Sequence, residues 1–386
     1  MPGLERFDVL VAGARCAGAA AAMLMARQGL RVLVVERGAY GRDTLSTHAL
    51  MRGGVLLLRR WGVLERLVEA GTPPIRHATF HYGDEAVPLE IRPGDGVDAL
   101  YAPRRTLLDS ALADAAGEAG AELRYGHSLA GLLQDEAGRV TGARIVDPAG
   151  RRSKVEAGLV VGADGAGSTV ARLAGAPVLA VGRNAAPVVY GYWSGLTDHG
   201  THWHYRPGLS AGRIPTNAGH HCVFVAAAPA RLRSVAHEDR RNGFLALLRA
   251  AAPALAEEVA AASPEGDLLP FAGRRGFMRH PCGPGWALIG DAASFKDPST
   301  AHGITDALRD AALLAGAVAR NTPAAFSDFA DRRDALLRPL FQVTDAVAGH
   351  DWDLTTLKSL HRTLNQVMRQ EVEHLLALAA PAELAA

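Results

Sequence analysis

The sequence predicts an α/β fold: a parallel sheet layered with helices, an interleaved strand-rich unit, and a helical C-terminal segment. Three observations carry the prediction. "VLVAGARCAGAAAAML" at 9–24 runs an apolar strand through a glycine turn into an alanine-rich helix, and a second apolar strand, "RVLVVE", follows at 31–36. Residues 186–228 hold the strand-like runs "VVYGYW", "THWHYR" and "HHCVFVAA". Beyond residue 323, Leu357, Leu360, Leu364, Val367, Met368, Val372 and Leu375 recur at the spacing of one helix face.

The remaining elements follow in order. The first helix ends at Gly29, and residues 50–70 read as helical. "HATFHYGDEAVPLEI" at 77–91 alternates about a Gly-Asp turn, the mark of a hairpin. Residues 104–119 form a helix, and strands follow near 122–125, 140–147 and 155–162, separated by turns at "EAGR" and "PAGR". Residues 240–262 are helical again. "WALIGDAA" at 286–293 is a strand entering a loop, and a helix starts near 303.

Composition narrows the function. A hydrophobic fraction of 48% in 386 residues suits one large or two medium domains and argues against intrinsic disorder. A net charge of +1 with no basic stripe argues against nucleic acid as the main partner. Cys16, Cys222 and Cys282 lie far apart and form neither a disulfide framework nor a zinc motif, which fits a reducing cytoplasm. The chain enters a strand at once, so no signal peptide is expected. No apolar run reaches the ~18 residues of a membrane span.

The glycine turn is the first chemical motif. Gly13 and Gly18 fill the first and third places of G-x-G-x-x-G, and Arg15 stands in the second. Such a turn offers backbone N–H groups to a pyrophosphate. Arg15 either lays its guanidinium along the phosphates or closes a looser turn. Glu36, 18 residues after Gly18 at the end of the second strand, is placed to grip a ribose hydroxyl. "VVGADGAGSTVAR" at 160–172 delivers Asp164 and Gly165 to a turn, and Ser168 can cap the helix that follows. "ALIGDAASFKDPSTAHGITDALRDA" at 287–311 ends a strand at Gly290-Asp291. Its proline loop then feeds a helix whose first amides belong to Gly303, Ile304 and Thr305, a terminus that favours negative charge.

In this order the three segments resemble the FAD-dependent monooxygenases of the p-hydroxybenzoate hydroxylase-like superfamily, which also holds flavin-dependent halogenases and geranylgeranyl reductases. The resemblance spans most of residues 5–320. It implies a Rossmann-like FAD-binding domain with an interleaved β-sheet substrate domain and C-terminal helices. Residues 1–75, 98–175 and 280–322 would build the FAD-binding domain, and 76–97 and 176–279 the substrate sheet. Residues 323–386 would close over one side or provide a dimer face, leaving the protein a monomer or homodimer.

The resemblance also assigns roles. Gly13, Ala14, Arg15 and Gly18 would hold the FAD pyrophosphate, and Glu36, with Arg37 beside it, the adenosine ribose. Arg42 would neutralise a phosphate, while Ser46, Thr47 and His48 of "RDTLSTHAL" would cross over the flavin. Arg105 of "PRRTLLDSAL", with Arg104 as the alternative, would lie against the FAD. Asp164 and Gly165 would touch flavin and nicotinamide, and Gly290 and Asp291 the ribityl chain. The Pro298 carbonyl would lie near the reacting flavin carbon, the amides of Ile304 and Thr305, after Gly303, would face the flavin O2, and His302 would reach the ring edge. His48 is the candidate proton shuttle; the competing reading is a polar residue bonding to backbone at a helix start.

The activity implied is hydroxylation of an aromatic or other small organic substrate through a flavin C4a-hydroperoxide, with NAD(P)H and O2, in secondary metabolism. No second nucleotide fingerprint is present, so NAD(P)H would reduce the flavin directly; the alternative is a separate flavin reductase. A reductase of the geranylgeranyl type, a halogenase-like enzyme and a non-catalytic flavin-binding protein are the other readings. The halogenase segment "W-x-W-x-I-P" is absent, although Lys296 leaves room for hypohalous chemistry, and "SAGRIP" at 210–215 lacks the aromatics of the reductase strand. His199, His202, His204, His220 and His221 crowd the strand-rich region without an acid cluster. They are expected to line a pocket or a solvated face, and no metal is expected.

Overall fold

The computed structural model describes residues 5–233 and 240–378. Residues 1–4, 234–239 and 379–386 of the expected segments lie outside it. The first sheet is built on four parallel pairings. Glu5–Ala12 lies between Val32–Glu36 and Arg152–Gly162, Glu122–Tyr125 flanks the first of these, and Trp286–Leu288 flanks the second. Val9–Ala12 and Val32–Val35 are buried without a break, as a sheet covered on both faces requires.

The helix Cys16–Arg27 shows why its sequence is nearly all alanine. Every residue from Cys16 to Ala26 is buried, and the helix packs against both Arg105–Glu118 and Gly303–Arg320. Small side chains allow that double contact. Replacing Ala20, which is fully buried, by leucine would overpack it at a cost of ~1–3 kcal/mol. Gly53 and Gly54 let Arg52–Arg60 approach the same 303–320 helix; a Cβ on Gly54 would sit 2.8 Å from Thr305 Oγ1.

The second sheet has the order Ser263–Pro264, Val188–Ser194, His221–Ala227, Leu209–Pro215, Thr201–Arg206, His77–Tyr82, Glu85–Glu90. The hairpin 77–90 joins it through a parallel pairing of His77–Tyr82 with Thr201–Arg206. One face is covered by Arg240–Ala251 and Pro253–Ala261, with Phe244 stacked on Trp193 at 5.3 Å. The other face carries Tyr190, Trp203, Tyr205 and Phe224 towards the first sheet.

Several strands lack a sequence expectation. Ser128–Gln134 pairs antiparallel with Val140–Val146, and Val178–Val181 enters a small three-stranded sheet with Phe277–Arg279 and Ser294–Phe295. Each is too short or too mixed with glycine and alanine to show a period. The long C-terminal helices are Pro323–Ala348, with Pro at its first turn and Thr322 accepting the N–H of Ala325, and Leu354–Leu376, capped by Asp353. The stripe read from the sequence faces inwards through Leu357, Val372 and Leu375. No helix among the described residues is long and apolar enough to cross a membrane.

Candidate active site

The parallel strands place the motifs along one edge. Ala12, Glu36, Gly162 and Leu288 end their strands there, and ligands of such sheets bind beyond the carboxyl ends. At the glycine turn, Gly13 has φ +103°, and a Cβ there would come 2.4 Å from the Ala163 carbonyl oxygen. A Cβ on Gly18 would overlap the Gly13 carbonyl at 1.8 Å. Glu36 accepts the N–H of Ala14 at 2.9 Å with one oxygen and that of Gly38 at 2.7 Å with the other. The carboxylate therefore shapes the turn itself.

Arg15 is half-exposed at the start of the helix, its guanidinium 3.5 Å from the Asp43 carbonyl oxygen. Arg37 and Arg42 are exposed on the same rim. Arg105 opens the 105–118 helix and clamps Asp109 with Nε and Nη2, and the Cys16 thiol donates to the same carboxylate at 3.0 Å. Burial pushes that thiol well above its ordinary range, so Cys16 is inert. Arg104 instead pairs with Asp43 at 2.9 Å and lies 3.8 Å above the Tyr192 ring.

Asp164 turns towards its own helix. Its carboxylate accepts from Ser168 Oγ at 2.5 Å and from the Thr169 N–H at 2.6 Å, while Ser168 Oγ accepts the N–H of Ala171. Gly165, at φ +80°, has open space around it. Gly290 donates its N–H to Asp310 at 3.1 Å, which aims Asp291 into the groove. Asp291 has an exposed surface facing that groove but is otherwise ringed by protein. That crowding, with the Asp306 charge, pushes its carboxyl up to about 6 against the pull of Arg105 and Lys296.

A cavity of about 310 Å³ lies between the two sheets. Ser46, Thr47, Asp291, Pro298 and Ser299 line one side, and Tyr190, Trp203, Tyr205, Phe224, Phe271 and Phe295 the other. Ser210 and His350, joined at 3.1 Å, add one polar pair to the wall. A second, more open groove of about 770 Å³ borders Trp352 from outside and is lined by Asp345 and Asp351; it contains none of the motif residues.

The two candidate histidines do not line the cavity. His48 is buried, with φ +65°, and its Nε2 hydrogen-bonds to the Tyr192 hydroxyl. Burial, then the charges of Arg104 and Arg105, lower it to about 3, so the ring is neutral. His302 is turned inwards, its Nε2 2.6 Å from Glu371 Oε2. It belongs to a buried cluster in which Arg309 bonds Asp306, Asp310 and Glu371, and Lys296 pairs with Asp306. Gly303 and Ile304 start the 303–320 helix at the surface of this cluster, and Thr305 is fully buried.

Sequence reasoning missed Tyr192, Ser210, His350 and Trp352. Each reaches the site from a distant segment, and only an aromatic-rich strand signalled the tyrosines.

The residues fit FAD. The glycine turn is wound so tightly that a Cβ on Gly13 or Gly18 would strike a backbone carbonyl, and the first-turn N–H groups of the 16–27 helix have no intrahelical acceptor. The hydroxyl of Ser299, on the cavity wall, and that of Thr305, at the start of the 303–320 helix, are buried without a partner. The chain belongs to the FAD binding domain family, whose model matches residues 6–324. It is an FAD-dependent oxidoreductase of the monooxygenase type of fold, as the motif order implied.

Among curated proteins it is 29% identical over 332 residues to the menaquinone reductase of Mycolicibacterium smegmatis, covering 80% of this chain and 76% of that protein. It is 37% identical over 173 residues to the 12-dehydrotetracycline 5-monooxygenase/anhydrotetracycline 6-monooxygenase of Streptomyces rimosus, covering 44% of this chain and 33% of that protein. In structure it matches the flavin-dependent brominase Bmp2 with a TM-score of 0.79 at 19% identity, over 98% of this chain and 97% of the other.

Proposed function

We propose that the protein is a monooxygenase that inserts one oxygen atom of O2 into an aromatic substrate, with NAD(P)H as electron donor. The observation that carries this reading is the aromatic cavity, which meets Asp291, Pro298 and Ser299 on one side and holds Arg274 as a cationic side chain on its wall. Bound FAD supplies the redox chemistry, accepting a hydride and passing electrons to oxygen.

The chain's own residues do the rest. Gly13, Ala14, Arg15 and Gly18 hold the pyrophosphate, with Glu36 and Arg37 at the adenosine end and Arg42 and Arg105 along the phosphates. Asp291 and Gly290 hold the ribityl chain, and the N-terminus at Gly303, Ile304 and Thr305 favours negative charge at the ring. Thr47 and Pro298 bound the place where substrate and ring meet. Aromatic walls exclude water and orient a planar ligand. Ser210 and His350 offer a hydroxyl or carbonyl one hydrogen-bonding contact. Tyr190 is pushed up to about 12 by burial and stays protonated, so it orients rather than ionises.

A reductase acting on a quinone or prenyl chain is the second reading, supported by the menaquinone reductase relative that spans most of the chain. Halogenation is disfavoured because Lys296 is spent on Asp306 beneath the cavity and is 9% exposed. Turnover under ¹⁸O2 with a panel of phenols, polycyclic aromatics and quinones separates the readings. Label in the product supports the monooxygenase; a reduced, unlabelled product overturns it in favour of the reductase.

A further inference from the structure

On the face of the second sheet that points away from the aromatic cavity, three histidines converge. His202 and His204 leave Thr201–Arg206 on the same side, and His81 stands directly opposite His204 across the parallel pairing with His77–Tyr82. One nitrogen from each ring lies within 4.8 Å of the other two. His81 Nε2 and His202 Nδ1 are 3.1 Å apart, and the His81 and His204 rings stack at 4.1 Å.

Two further observations favour a ligand set over packing. His202 Nε2 donates to the His199 carbonyl at 3.2 Å. That bond fixes the tautomer and leaves the Nδ1 lone pair facing the other two rings, the arrangement that holds a metal-binding imidazole in place. The rings are also half-buried, so solvent reaches them. Arg213, opposite His202 across the pairing with Leu209–Pro215, is matched by Glu258 at 2.7 Å.

We propose that His81, His202 and His204 bind a divalent transition-metal ion, zinc foremost, with water completing the shell. Three imidazoles and one open position suit zinc, and the lack of carboxylate ligands disfavours magnesium and calcium. Stacked rings cannot both aim at one ion, so binding turns a ring about its soft χ2 torsion. The ion would link the hairpin 77–90 to the main run of the sheet. It lies on the opposite face from the flavin groove, so the site stands independently of the monooxygenase reading. The expectation of no metal rested on missing acids, which an imidazole site does not need, and on not knowing that residue 81 joins residues 202 and 204.

The test uses tag-free holoenzyme, stripped with chelator and dialysed against zinc chloride. One zinc per chain is expected, with a Kd of about 1 µM or tighter. His81→Gln, His202→Gln and His204→Gln should each weaken binding by ~10-fold or more with flavin content unchanged. His199→Gln should bind normally, because only its backbone carbonyl takes part. Zinc should raise the Tm of the wild type and not that of the triple variant. X-ray absorption at the zinc edge should show nitrogen neighbours at ~2.0–2.1 Å. Absence of saturable zinc in the wild type, unaltered affinity in the triple variant, or sulfur coordination would each overturn the proposal.

Discussion

His302 Nε2 and Glu371 Oε2 lie 2.6 Å apart, and through that contact the last helix is anchored to the start of the 303–320 helix. Glu371 also accepts from Arg309 at 2.7 Å. Burial pushes the carboxyls of Asp306 and Glu371 up, but Lys296, Arg309 and His302 outweigh it and hold both below their ordinary values. Glu371→Gln should therefore destabilise the protein by ~3–5 kcal/mol, because it takes a buried carboxylate away from Arg309. Denaturant unfolding checks this. The carboxylates stabilise fully above their ordinary values of 3.8 and 4.5, and the contribution is lost as pH falls through the lowered folded values.

Asp291 behaves in the opposite sense. Its folded carboxyl is raised to about 6 from 3.8, so the folded state holds the proton more tightly and its stability falls as pH rises through that window. In flavin-free protein, Asp291→Asn should gain on the wild type between pH 3.8 and 6 and keep a constant lead above. Asp291→Ala should weaken FAD binding by ~10-fold or more with the fold intact. Unchanged FAD affinity would remove Asp291 from the ribityl contact.

His48 is lowered to about 3 and is neutral throughout the working range. The pH–rate profile should then carry no inflection due to His48 between pH 5 and 8. An inflection near 6.5 that His48→Gln abolishes would restore it as a proton shuttle.

Arg15→Ala should weaken FAD binding by about tenfold, the worth of a charged phosphate contact. Fluorescence titration reads it. If affinity is unaltered, the guanidinium stays with the Asp43 carbonyl. Gly13→Ala should lose both flavin and stability, since its Cβ meets the Ala163 carbonyl at 2.4 Å with φ at +103°.

Anaerobic mixing with NADH or NADPH should bleach the flavin directly, and faster when a productive substrate is present. Turnover that needs added reduced flavin instead would call for a separate reductase.

The sequence alone was enough for the layered α/β fold, the FAD family and the positions of Gly13, Gly18, Glu36 and Asp291. These depend on local chemistry: a turn that tolerates no Cβ, an acid at a strand end, and apolar periods of two or 3.6 residues. Tertiary structure decided where His48, His302 and Lys296 point. Their partners, Tyr192, Glu371 and Asp306, reside on other elements, and a buried polar group goes where its hydrogen bond is made rather than where its neighbours in the chain lie. Sheet pairing likewise brought His81 to His204 and the aromatic residues of several strands to one cavity. Periodicity tells which face a residue occupies, but only the packed sheets determine what stands across from it.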